Sequence, residues 1–258
     1  MKVFERPGPA NTAETIEIVE QVAARYQYVV VASITGDCAV RVADRIKNSK
    51  SLSKNSFAVD SHNVESPHPR PLPKVDGTFG TKVICVTCPQ GMGWEIENMQ
   101  KGPFADVPEL KEIRDQWAAQ GLKRAPMNIT PENRAKLEKL DVGIVQGTIP
   151  FFGPSFSMRL HLGQVTSLDI LAKTLELIST GTLVCLECVL MAVDAGVIPE
   201  DERVLAVAGT ERGLDTAWVI KSSASANLFH PTKGARFVEL LAKPGISLQP
   251  DMNIEYLR

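Results

Sequence analysis

Residues 204–217 of this 258-residue chain read VLAVAGTERGLDTA. The first four, Val204 to Val207, form a short apolar run with two β-branched members, which is typical of a strand buried on both faces. Gly209 and Gly213 then allow the backbone to turn tightly or to approach a ligand closely. The side chains of this loop that could donate hydrogen bonds to an anion are Thr210, Arg212 and Thr216. The stretch therefore predicts a buried strand that ends in an anion-binding loop.

A second copy of this arrangement lies near the N-terminus. A strand is predicted over Tyr28 to Ser33, and Ile34-Thr35-Gly36-Asp37 leads from it into a helix predicted over Asp37 to Ile46. Two further apolar runs, Lys82 to Thr87 and Val142 to Gln146, predict strands of the same kind. Each is followed by a loop rich in glycine and hydroxyl side chains, so the unit recurs along the chain.

Helices are predicted between these strands. Their approximate ranges are 12–23, 107–120, 132–140, 168–178, 182–195 and 235–241, from the recurrence of apolar residues at helical spacing. Ala217 to Lys221 reads as a strand that follows Val204 to Val207 after a very short loop, so these two strands must be antiparallel. The pattern predicts one α/β domain over residues 1–258. Its sheet is doubly wound and mostly parallel, with helices on both faces and a final antiparallel strand.

Residues 48–80 interrupt this pattern. Serines and lysines alternate there, and prolines then occupy every second position from Pro67 to Pro73. Such a segment is incompatible with a helix and is interpreted as an insertion in extended or mobile conformation. It is expected to be cut first by proteases, or to fold over the ligand site as a lid.

The composition excludes several classes of protein. The net charge of -2 and the pI near 6.1 are unlike those of nucleic-acid-binding domains. No apolar stretch approaches the roughly 20 residues that cross a bilayer, and the N-terminus lacks the apolar core of a signal peptide. Five cysteines, an odd number, favour reduced thiols and a cytoplasmic location. The sequence is compatible with a homo-oligomer.

Ligands of doubly wound sheets bind beyond the carboxyl ends of the strands. Glycines at these ends are expected to leave backbone amides uncovered, and helix starts add a positive field that favours phosphate. The predicted binding residues are Ser33, Thr35, Gly36, Thr87, Gly91, Gly147, Thr148, Gly209, Thr210, Arg212, Gly213, Asp215 and Thr216. No catalytic residue is predicted, because the chain contains no recognised catalytic motif.

Several of these residues have an alternative, purely structural interpretation. Arg212 could pair with Glu211 or Asp215 to hold the loop instead of a ligand. Thr35-Gly36 could simply cap a helix. Glu187 falls within a helix that reads as buried, where a carboxylate needs partners, so it is either a satisfied structural group or part of the site.

Two Cys-x-x-Cys pairs, Cys85 with Cys88 and Cys185 with Cys188, have the spacing of half zinc sites. Cys85 and Cys88 belong to a strand and its end, where an odd spacing sends side chains to opposite faces. Cys185 and Cys188 belong to the buried helix, and cysteine is often buried without any metal. We therefore expect no metal site.

Four segments resemble, in the same order, the α/β domain that forms the C-terminal part of pyruvate kinases. They resemble more closely the small family in which that domain stands alone. The segments are RPGPANT (6–12), VASITG (31–36), LVCLE through MAVDAGVIP (183–199) and AGTERGLDTA (208–217). The chain departs from the family at the insertion, in an expanded region from about 95 to 135, and at Phe151-Phe152, where smaller residues are expected.

The resemblance implies a doubly wound fold with a phosphate-binding role at the strand ends. In pyruvate kinases this domain holds a phosphorylated regulator, and the stand-alone relatives look like binders of a flavin nucleotide, so the implied ligand is FMN. A pyruvate kinase needs about 250 further residues for its catalytic barrel, so kinase activity is not expected. Two other functions stay open: an enzyme acting on a phosphorylated metabolite without flavin, and a regulatory or assembly module.

Overall fold

The computed structural model describes residues 1–53, 80–96, 115–210 and 212–245. Its strands are β1 (Lys2–Phe4), β2 (Tyr28–Ala32), β3 (Lys82–Thr87), β4 (Gly93–Glu95), β5 (Arg124–Pro126), β6 (Gly143–Gln146), β7 (Arg203–Ala208), β8 (Thr216–Lys221) and β9 (Arg236–Pro244). Its helices are α1 (Thr12–Ala23), α2 (Asp37–Ser53), α3 (Pro131–Lys139), α4 (Gly153–Leu162), α5 (Ser167–Glu176) and α6 (Thr180–Asp194).

Seven strands form one mostly parallel sheet, in the order β1-β9-β8-β7-β2-β3-β6. Four neighbours, β7, β2, β3 and β6, run parallel, and they are the four strands that end in the predicted binding loops. β8 is antiparallel to both of its neighbours, and the short loop before it requires this orientation relative to β7. The α/β class and the parallel core are therefore confirmed.

Helices cover both faces of this sheet. On one face, called the α2 face, helices α1, α2 and α3 pack over strand residues such as Val29 and Val31. On the other, called the α6 face, helices α5 and α6 pack over the alternate residues, such as Val30. These strands are continuously apolar because both of their faces are buried. No helix in the described part of the chain is long and apolar enough to span a membrane.

The predicted helix over residues 235–241 is wrong, because this segment forms β9 at residues 236–244. The β8–β9 ladder has two register shifts, so that Phe237 lies opposite Ile220 and Leu240 opposite Trp218. Residues three apart thus share one face, which an unbroken strand does not allow. The shifts explain why the apolar spacing looked helical. β8 is consequently not the final strand of the chain.

The predicted extended conformation is wrong for the first residues of the predicted insertion. Helix α2 continues to Ser53, so residues 48–53 are helical. Its buried apolar side chains lie in the first turns, and a helix that is already nucleated extends readily through lysines and serines. The remainder of the insertion, residues 54–79, lies outside the described residues. Of the helix predicted over 107–120, the described part, 115–119, is helical.

A buried carboxylate, that of Asp215, joins three parts of the fold. It accepts hydrogen bonds from the amide of Gly8 at 2.9 Å, the amide of Thr210 at 3.1 Å and the hydroxyl of Thr216 at 2.8 Å. The Thr216 hydroxyl also lies 3.2 Å from that of Ser179, which caps the start of α6. The N-terminal segment, the loop after β7 and the start of α6 are thereby held together.

Gly181, in the first turn of α6, allows this close approach. A methyl group in place of its hydrogen would overlap the Thr216 side chain. Gly181→Ala should therefore lower the free energy of unfolding by about 1–3 kcal/mol, although alanine normally favours a helix. Gly91→Ala is the control, because a methyl group there has no neighbour within 4 Å. Urea unfolding compares the two variants, and a Gly181→Ala protein as stable as the parent would contradict this packing.

Candidate functional site

The direction in which the chain adds strands reverses beside β2. From β2 it proceeds to β3 and β6 on one side, and then returns to place β7 on the other side. Val31 of β2 pairs with Val207 of β7, so the loops after these strands leave the sheet side by side. The crevice at such a reversal is where doubly wound sheets bind ligands. The structure thus brings seven of the predicted residues together: Ser33, Thr35, Gly36, Gly209, Thr210, Arg212 and Gly213.

The loop after β2 is fixed by helix α3. The carbonyl of Thr35 accepts the amide of Thr130 at 3.2 Å and the side-chain amide of Asn133 at 2.9 Å. Gly36 has a φ of +88°, and a Cβ there would lie 3.0 Å from that of Asn133, so packing against α3 requires this glycine. The amides of residues 35–37 have no acceptor within the described ranges. They lead into the first turn of α2, where backbone amides have no intrahelical acceptor.

The loop after β7 is folded onto itself. The amide of Thr210 donates to Asp215, and the amide of Arg212 donates to the carbonyl of Thr210 at 2.7 Å. A Cβ on Gly209 would overlap the carbonyl of Gly213. The glycine here serves a tight turn, and the expectation that this loop presents uncovered amides is wrong for Thr210 and Arg212.

The same loop is also anchored to helices α1 and α2. The amide of Leu214 donates to the hydroxyl of Thr12 at 3.0 Å, and the amide of Gly213 faces the thiol of Cys38. Burial, and secondarily the nearby Asp37 carboxylate, raises the pKa of that thiol to about 11. Cys38 is therefore a neutral packing group between the two loops rather than a nucleophile.

The Thr210 hydroxyl and the Arg212 guanidinium form no side-chain hydrogen bond or ion pair with a described residue. Within the described residues, the Thr210 hydroxyl is the one side-chain polar atom that is fully enclosed without a hydrogen-bond partner. Arg212 is exposed and forms no ion pair with a described residue. Asp215 is not its partner, since that carboxylate is buried among other donors. Glu211, the other suggested partner, lies outside the described residues.

Two predicted binding residues, Asp215 and Thr216, have no exposed surface. Their polar atoms are engaged with each other and with the starts of α6 and the N-terminal segment. Because these atoms are already engaged within the protein, the structure gives Asp215 and Thr216 a supporting role beneath the crevice.

The remaining predicted residues follow β3 and β6, farther along the same edge. The hydroxyl of Thr87 donates to the carbonyl of Ile34 at 2.9 Å, so it supports the loop after β2. Gly91 faces open space. Thr148 lies on a separate groove, and Gly147 precedes it at the end of β6. The four loops share one edge as predicted, but they form two neighbouring sites.

This second site is an open groove of about 370 Å³ between the antiparallel β4–β5 pair and helix α4. It is lined mainly by apolar side chains and two glycines: Pro89, Met92, Gly93, Arg124, Thr148, Ile149, Phe152, Gly153 and Phe156. The sequence predicted neither the β4–β5 pair nor α4, which begins inside the loop predicted after β6. The one available signal was Phe151-Phe152, noted as larger than a family member should have.

Glu187 lies in α6 next to the loop that lines this groove. Its Oε1 accepts the amide of Phe151 at 3.2 Å. Its side chain is buried, and burial raises its pKa to about 7, against the lowering effect of the Phe151 amide and with a small contribution from Glu176. A carboxyl group with a pKa near neutral pH is suited to proton transfer, which supports a role in the site. The hydrogen bond from Phe151 supports a structural role.

The cysteine pairs do not converge on a metal. Cys85 packs in the core on the α2 face, whereas Cys88, Cys185 and Cys188 pack in the core on the α6 face. Burial raises the pKa of all four thiols. Across the described ranges, no group of three or more histidine, cysteine or acidic side chains could hold a metal ion.

Glu187→Gln tests the titration of the buried carboxyl. Between the unfolded pKa near 4.3 and the folded value of about 7, the folded protein holds a proton that the unfolded chain releases. The contribution of Glu187 to stability therefore falls as the pH rises through this window. Relative to the parent, Glu187→Gln should gain on the order of 3 kcal/mol between pH 4 and pH 8.

Urea unfolding of both proteins at pH 4, 6 and 8 measures this difference. Glu138→Gln, at an exposed position of α3, is the control and should run parallel to the parent. A constant difference between Glu187→Gln and the parent at all three pH values would show that Glu187 does not titrate in this range.

Comparison of the chain with models of known protein families finds no match.

Proposed function

We propose that this chain binds a phosphorylated small molecule whose phosphate lies in the crevice between the ends of β2 and β7. The observation that carries this proposal is the enclosed, unpartnered hydroxyl of Thr210. Burying a hydroxyl without an acceptor costs free energy, and a valine of the same shape would avoid this cost. A phosphate oxygen in the crevice would provide the acceptor that the protein lacks.

The charges around the crevice support an anionic ligand. Arg212 carries a guanidinium group that can bind a phosphate through two hydrogen bonds. The amides of residues 35–37 precede α2, whose positive dipole end favours an anion. One opposing charge, Asp37, is exposed and lies 3.9 Å from Arg41, which partly offsets it.

FMN is the ligand that we propose to test first, because the chain resembles the stand-alone pyruvate kinase C-terminal-like family. Membership of that family is part of the proposal, and the mostly parallel sheet with an antiparallel β8 is compatible with it. Thr210, Arg212 and the amides of residues 35–37 would hold the FMN phosphate. A bound flavin would supply electron or hydride transfer.

Glu187 favours a second candidate function, an enzyme that acts on a phosphorylated metabolite without flavin. Its buried carboxyl has a pKa of about 7 and lies beside the loop that follows β6. Such a group can take up and release a proton near neutral pH. Absorption spectroscopy separates the candidates, because a yellow preparation carries flavin. A colourless protein that sugar phosphates stabilise against heat would favour the metabolite enzyme.

Thr210→Val should separate stability from ligand binding. Removing the unpartnered hydroxyl should raise the free energy of unfolding of the ligand-free protein by about 1–3 kcal/mol. The same change should weaken FMN binding roughly tenfold to hundredfold, since a hydrogen bond to a charged group is lost. Thr210→Ser, which keeps the hydroxyl, is the matched control. If Thr210→Val binds FMN as tightly as the parent, the hydroxyl does not contact the ligand.

Arg212→Ala should weaken binding of FMN and of ribose 5-phosphate by a similar factor, roughly tenfold to hundredfold, because both lose the same charged hydrogen bonds. Stability should be preserved, since Arg212 is exposed. Arg203→Ala is the control, because Arg203 is also exposed but lies at the amino end of β7, away from the crevice at its carboxyl end. Titration calorimetry measures the affinities. A variant that unfolds would instead support a structural pairing of Arg212.

A further inference from the structure

The groove beside helix α4 has the character of a site for a flat apolar group. Phe152 immediately precedes α4, and Phe156 lies one turn later in the helix. Their rings stack with centroids 4.3 Å apart and planes 18° from parallel. Both line the groove together with Met92 and Pro89. Aromatic and methionine side chains offer a polarisable surface to a planar ring, and a volume of about 370 Å³ suits a small molecule.

The hydrogen-bonding groups beside the groove restrict its occupant further. Arg124 is the charged residue among those that line it, and its guanidinium donates to the carbonyl of Gly93 at 3.0 Å. The guanidinium of Arg159 lies 5.3 Å from the Phe156 ring and is paired with the carboxylate of Asp169. A guanidinium donates hydrogen bonds and accepts none, so it favours a ring that carries carbonyl oxygens.

The groove lies on the same edge of the sheet as the phosphate crevice. Pro89 and Thr148, which line the groove, follow β3 and β6, and β3 is the direct neighbour of β2. Strands of a sheet lie about 4.8 Å apart, so the gap between β3 and β6 is about 10 Å from the gap between β7 and β2. A single ligand of mononucleotide size can reach from one to the other.

We propose that this groove binds the planar aromatic part of the ligand whose phosphate occupies the crevice, so that the ligand is a phosphate monoester that carries an aromatic ring rather than a simple sugar phosphate. This inference rests on the proposed function and names the class of its ligand. Two of the residues that line the groove, Arg124 and Phe152, come from segments in which the chain departs from the family that it resembles.

Three probes and two variants test the inference. FMN has both the ring and the phosphate, riboflavin has the ring alone, and ribose 5-phosphate has the phosphate alone. Phe156→Ala should weaken FMN and riboflavin about tenfold and leave ribose 5-phosphate unchanged. Arg212→Ala should weaken FMN and ribose 5-phosphate and leave riboflavin unchanged. Quenching of flavin fluorescence measures the two flavins, and calorimetry measures ribose 5-phosphate.

Two further variants keep the test interpretable. Phe156→Leu retains an apolar side chain in α4 but removes the ring, and it should weaken FMN as well. Leu162→Ala, at a position of α4 that is 65% exposed and outside the groove, should bind all three probes like the parent.

The outcomes distinguish the two proposals. If Phe156→Ala and Phe156→Leu bind FMN like the parent while Arg212→Ala does not, the groove assignment is overturned and the phosphate crevice stands. If the parent binds riboflavin and FMN equally and ribose 5-phosphate not at all, the phosphate crevice is overturned. A parent that binds ribose 5-phosphate as tightly as FMN would show that the ring contributes nothing and would overturn the groove.

Discussion

The buried carboxylate of Asp215 is the interaction on which the site depends. It accepts hydrogen bonds from the amides of Gly8 and Thr210 and from the hydroxyl of Thr216. A buried carboxyl group is tolerable only when its oxygens are hydrogen-bonded, so these three donors must stay in place. Through them, the segment before α1, the loop after β7 and the start of β8 take up one fixed arrangement. Ser179 extends the network to the start of α6.

This arrangement leaves one polar group unsatisfied at a particular place. Thr210 uses its amide to bind Asp215, and its hydroxyl is enclosed without a partner in the described residues. The loop amides that glycines were expected to expose are mostly satisfied within the protein. The potential for binding an anion therefore lies in the Thr210 hydroxyl, the Arg212 side chain and the amides before α2, rather than in a glycine-rich cradle. Such a site is preorganised, since the surrounding fold already holds its groups.

Local patterns in the sequence could not reveal the features that depend on distant partners. The apolar spacing of β9 looked helical because two bulges, which exist only against β8, alter which residues share a face. The glycine at position 36 looked like a ligand contact, yet α3 packs against it from almost a hundred residues away. The groove required the β4–β5 pair and α4 to meet, and short strands carry too few residues for periodicity to identify them.

The sequence by itself determined the α/β class, the four parallel strands and the strand ends that share one edge. It could do so because buried parallel strands must be continuously apolar, and because a short connection forces β8 to run antiparallel. Only the tertiary structure decided how the thirteen predicted residues divide. Some lie at the crevice between the ends of β2 and β7, some support that crevice from beneath, and some belong to the second groove. That division depends on strand order and on hydrogen bonds between residues such as Gly8 and Asp215, which are 207 positions apart. No local pattern encodes a contact over that separation.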